Sequence, residues 1–70
     1  MSHEAIQELL HRRPFVRFRV HLSSGEAHEV RHPELAILLK SRIIIADPAT
    51  DRSVTCALLH IVSAEEVQAV

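Results

Sequence analysis

Apolar positions follow two different periods along this chain. Among the first dozen residues, Ile6, Leu9 and Leu10 recur at helical spacing and form one apolar stripe. Ser2 stands before the stripe as an N-cap. Arg12 and Arg13 follow it, where positive charge complements the helix dipole. Pro14 disfavours helical geometry at Arg13 and ends the segment. The pattern predicts a short amphipathic helix over residues 3–12.

From Phe15 the period changes to two. Val16, Phe18, Val20 and Leu22 alternate with Arg17, Arg19 and His21, which predicts a half-buried strand over residues 15–22 with a charged outer face. Ser23-Ser24-Gly25 is a turn, and residues 26–32 read as the returning strand, antiparallel because the loop is short. Residues 35–46 hold two apolar runs, Leu35–Leu39 and Ile43–Ala46, around the polar Lys40-Ser41-Arg42. They read as one bent strand, as two strands, or as a helical turn and a strand, with Ile43–Ala46 expected to be buried on both faces. A turn at Asp47–Asp51 leads into a strand over residues 52–59. Residues 61–67 suggest a last strand, although Ser63-Ala64-Glu65-Glu66 also fits the capping box of a terminal helix. The expected fold is mostly β with an N-terminal α-helix, a single small antiparallel β-barrel domain of four to five strands over residues 1–70.

Length sharpens this picture. Seventy residues make one domain, and its composition, 47% apolar and 24% charged, is that of a globular chain. A core of this size rarely supplies more than about 3–5 kcal/mol. One cysteine allows no internal disulfide, so self-association is the remaining common way to bury more apolar surface. Three continuously apolar stretches, Leu35–Leu39, Ile43–Ala46 and Cys56–Leu59, point the same way, and a homo-oligomer is expected. No stretch is apolar enough to span a bilayer and the N-terminus lacks the pattern of a signal peptide, so the expected location is the cytoplasm.

Net charge is −1, unevenly spread. Residues 1–42 carry seven basic and five acidic residues, and residues 43–70 carry one basic and four acidic. Half of the eight basic residues lie between Arg12 and Arg19. Arg12, Arg13, Arg17 and Arg19, with His11 and His21 nearby, are therefore the candidate anion or RNA contact. Helix-end charge and a solvated strand face account for the same residues without any ligand. Phe15 is the only candidate near them for stacking on a base, so the usual aromatic platform is missing and any RNA contact is expected to be weak.

Catalytic patterns fail on geometry. His28-Glu29-Val30-Arg31-His32 matches the spelling of a zinc-protease motif, but that chemistry needs a helix to bring both imidazoles to one ion. In a strand the two histidines lie about 13 Å apart, at ~3.3 Å per residue. The six histidines have no structural-zinc spacing, which leaves only a site shared between subunits. Cys56 sits in an apolar strand, where thiols are usually inert, and one glycine cannot build a phosphate loop. No enzyme activity, cofactor, metal or small-molecule substrate is expected.

The element order resembles the Sm-like fold and, within it, the Hfq family of bacterial RNA chaperones. Val20-His21-Leu22-Ser23-Ser24-Gly25 is similar to the end of that family's first strand and its turn. The resemblance implies that Arg12 and Arg13 stand where the family carries rim arginines after the helix. It also implies that His60 ends the segment where the family has a Tyr-Lys-His triplet. His60 joins the candidate RNA contacts on that ground. Leu58 and Leu59 replace the Tyr and Lys, and Glu4 replaces a Gln, so no central-pore RNA site is implied. A closer likeness is to a set of small uncharacterised bacterial proteins sharing Arg13-Pro14-Phe15, Phe18-x-Val20-x-Leu22, Gly25, Val30 to Glu34 and Leu59-His60-Ile61. That likeness carries no activity with it. The sequence thus favours a noncatalytic small-barrel assembly or binding module with weak RNA contact. The alternative is a protein–protein interaction module with no nucleic-acid role.

Overall fold

The computed structural model describes residues 1–67. It is mostly β, with one N-terminal helix and six strands in two antiparallel three-stranded sheets. The helix α1 runs over His3–His11. Ser2 caps it, its hydroxyl oxygen accepting from the Ala5 N–H at 3.2 Å. Ile6 and Leu10, four residues apart, enter the core. Arg12 leaves helical geometry one residue before the expected end.

The first sheet has the order β2-β1-β6, with β1 Phe18–Leu22, β2 Ala27–Val30 and β6 Ile61–Glu66. The second has the order β3-β4-β5, with β3 Ala36–Leu38, β4 Arg42–Asp47 and β5 Arg52–Ala57. Two 3-10 turns, Pro33–Leu35 and Leu58–His60, carry the chain between the sheets. Phe18, Val20 and Val30 from the first sheet and Ile43, Ile45 and Cys56 from the second share one buried cluster with Ile6 and Leu10. Leu58 and Ile61, around the second turn, complete it.

Several elements differ from the expectation. The strand expected over 15–22 begins at Phe18, because Phe18 is paired with the last residue of β2, Val30, and the last of β6, Glu66. Residues 15–17 lie before the paired positions, and of them Arg17 adds a carbonyl that accepts from the Val67 N–H at 2.9 Å. Phe15 instead packs its ring against Phe18, centroids 6.1 Å apart. The returning strand shrinks from 26–32 to Ala27–Val30. Residues 35–46 are two strands, with β3 and β4 forming a hairpin that the Leu39 N–H closes on the Arg42 carbonyl at 2.8 Å. The expected double-faced burial of Ile43–Ala46 is not found in the single chain. Ile43 and Ile45 are buried, Ile44 is half-buried and Ala46 is exposed, the alternation of a one-sided strand. The strand expected to Leu59 stops at Ala57, where the chain turns. Residues 63–66 extend β6, so the capping-box helix does not form there. The rest of that expectation, at 68–70, lies outside the described residues. Six strands replace the expected four to five because the 35–46 tract divides.

Candidate functional site

Alternation along β1 puts Arg19 and His21 on the outer face of the first sheet and Phe18 and Val20 inside it. Arg19 pairs in register with Glu29 on β2 and with Glu65 on β6. Its guanidinium reaches both carboxylates, at 3.4 Å and 3.8 Å. His21 Nε2 donates to Glu65 Oε1 at 2.8 Å. Arg17 lies 3.8 Å from Glu29, and Arg31 3.4 Å from the same carboxylate. Arg12, just after the helix, pairs with Glu66. The basic cluster is therefore largely a cross-strand ladder of ion pairs, of the kind that sets strand register.

Arg13 and His60 are placed differently. The Arg13 guanidinium donates to the carbonyls of Leu10 and Arg12, satisfying acceptors that the end of α1 leaves open. His60 ends the second 3-10 turn, and its carbonyl accepts from the Ser23 N–H at 2.8 Å. Ser23 follows β1, so His60 stands at the far end of that strand from Arg17. The fold brings Arg17 and Arg19 together on one strip and Arg12 beside it through Glu66. It does not bring His60 to them. Phe15 is half-buried against Phe18 and offers no open platform for a base.

The His28–His32 segment is a strand followed by a turn, not a helix. His28 lies on β2, and His32 precedes the 3-10 turn in extended geometry. Among the described residues no group of three His, Cys, Asp or Glu side chains is close enough to hold a metal ion. Cys56 is buried within the core. Burial pushes its thiol pKa up, and the negative charge of Glu26 adds to the effect. Both act against the thiolate that nucleophilic chemistry needs.

One feature has no precursor in the sequence pattern. A cleft of about 540 Å³ opens between β2 with its following residues and the β4–β5 turn. Arg31, His32 and Arg52 line it together with the apolar Leu35, Ile45 and Val54. Arg31 and Arg52 are far apart in the chain, and only the tertiary fold makes them neighbours. No hydrophobic period or motif marks that meeting. No family model, curated protein or solved structure matches this chain.

Proposed function

We propose that the protein is a noncatalytic assembly module whose sheet edges pair with further copies of the chain. The observation that carries the reading is the pair Leu59 and Val62, which are 79% and 64% exposed. They flank the junction of β5 and β6, where the Met1 ammonium donates to the Leu58 and Ile61 carbonyls, and among the described residues each of these strands has one hydrogen-bonded neighbouring strand. An open edge bordered by exposed aliphatic side chains is a template for pairing with another chain. Ile37, 58% exposed on the edge strand β3, extends the uncovered apolar surface.

A small Sm-like barrel is the architecture that goes with this reading. Two short sheets share one core and are joined at each change of sheet by a 3-10 turn. The Leu58 N–H to Ser41 carbonyl bond, 2.9 Å, ties the second turn to the β3–β4 hairpin. No helix among the described residues is long and apolar enough to cross a membrane, and a cytoplasmic site of action belongs to the same proposal.

The pairing of Arg12, Arg17 and Arg19 with Glu66, Glu29 and Glu65 favours a protein partner over RNA. Each arginine that met a phosphate would have to give up a carboxylate. The test is a charge placed on the proposed interface. The variant Leu59→Glu/Val62→Glu should keep the wild-type far-UV spectrum and fall to the mass of one chain in light scattering. An unchanged oligomer would remove this edge from the account.

A further inference from the structure

The cleft between β2 and the β4–β5 turn combines three properties that together define a ligand class. Its size, about 540 Å³, lies in the range of small-molecule sites. Its floor is apolar, formed by Leu35, Ile45 and Val54. Its polar lining is mixed in charge, with Arg31, His32 and Arg52 standing beside Glu29 and Asp47.

The charges on the rim are not evenly matched. Glu29 is the carboxylate nearest Arg31, but Arg17 and Arg19 also lie within 4 Å of it. Three guanidiniums thus share one carboxylate, with Glu65 relieving only Arg19. The Arg17 Nε is buried and has no hydrogen-bond partner among the described residues. On the opposite wall, Asp47 turns one oxygen to the Ala49 N–H at 3.2 Å. Arg52 is its register partner, yet forms no ion pair with it or with any other described carboxylate. His32 likewise forms no ion pair among the described residues. His28 also lines the cleft, and its Nε2 is buried without a hydrogen-bond partner among the described residues, with Glu26 3.6 Å away.

We infer that this cleft binds a small organic monoanion, a carboxylate carried on a compact apolar body. Arg52 and His32 take the carboxylate, and Leu35, Ile45 and Val54 cover the body. The planar fork of Arg52 suits a bidentate carboxylate. Glu29 and Asp47 also line the cleft, so its two arginines leave no excess of positive charge for a dianion such as a phosphate monoester. Arg52 and Val54 lie on β5, whose edge the assembly reading also uses, so the titration is made on the species that light scattering identifies.

Titration of the isotope-labelled full chain with phenylacetate, followed by amide NMR, tests it. Saturable shifts confined to residues 27–35 and 45–54 are expected, with a Kd below about 1 mM. Acetate, phenylacetamide and phenyl phosphate should each bind at least about tenfold more weakly. Arg52 is exposed, so Arg52→Gln should fold and should weaken phenylacetate binding by at least about tenfold. If that variant loses its native spectrum, His32→Gln takes its place, with the same expectation. No saturation by about 10 mM, equal binding of the neutral amide, or unchanged affinity in the folded variant would overturn the inference.

Discussion

Arg19 on β1 and Glu29 on β2 are direct cross-strand partners, with Nη2 3.4 Å from Oε1. A charged pair at matched register positions has a structural use before any functional one, since a one-residue slip of either strand would put the two side chains on opposite faces. On the opposite side Glu65 of β6 repeats the arrangement, so the central strand is clamped by carboxylates from both neighbours. Of the positive cluster that stands out in the sequence, Arg12, Arg17 and Arg19 are thus committed to carboxylates of this sheet.

Weak or absent RNA binding follows. In fluorescence anisotropy with short A-rich and U-rich RNAs, no affinity tighter than about 10 μM is expected at physiological salt, the range of nonspecific contacts. Arg12→Ala/Arg13→Ala should leave that result unchanged. Binding that survives physiological salt and falls in the double variant would restore the arginine rim as an RNA site.

The ladder also predicts a ranking of stabilities. Glu29 meets three arginines and keeps 21% of its side chain exposed, whereas the Glu65 side chain is 58% exposed. Glu29→Gln should lose about 1 kcal/mol in urea unfolding and Glu65→Gln less, because exposed pairs are worth little. The Glu29 loss should shrink in high salt as the surviving arginines are screened from one another. A larger loss at Glu65, or no loss at Glu29, would contradict the ladder.

The sequence and the structure agree where neighbours in the chain decide the outcome. Ser2, Ile6 and Leu10 act within one helix, and the alternation around Phe18 and Val20 survives folding intact. Agreement ends where distant segments decide. Residues 35–46 are apolar on either side of Lys40-Ser41, and periodicity alone could not tell a bend from a hairpin. The register of Ile37 with Ile44 is a tertiary fact. Leu58 and Leu59 are adjacent and chemically identical, yet one is 5% and the other 79% exposed, because the 3-10 turn rotates them apart. The arginines were visible as a cluster, but Glu29, Glu65 and Glu66 reach them only through strand pairing. The cleft, with Arg31 on one wall and Arg52 on the other, left no local trace at all.

Cys56 gives a prediction in pH. Burial and the Glu26 charge raise its pKa in the folded state, so the native chain holds the thiol proton where the unfolded chain has released it. The sign follows from proton binding. The native state binds more protons, so stability falls as pH rises past the ordinary cysteine value and is unaffected well below it. Between about pH 7 and pH 10 the wild type should therefore lose more stability than Cys56→Ala. Parallel curves for the two proteins would contradict the assignment. Slow reaction of the native thiol with a disulfide reagent at mild pH is the companion expectation.

Gly25 isolates a backbone effect. It has φ of +95° in the β1–β2 turn, and a Cβ built there meets nothing within 4 Å. Gly25→Ala should thus cost only the strain of a positive φ, about 1 kcal/mol, with no change in the packed core. Equal stability of the two proteins in urea would mean that the turn relaxes to another conformation.

Assembly through open strand edges is the central claim, and the mass of the purified chain tests it most directly. Size-exclusion chromatography with light scattering at tens of micromolar should give one species whose mass is a multiple of 7.9 kDa. A single monodisperse species at 7.9 kDa would contradict it.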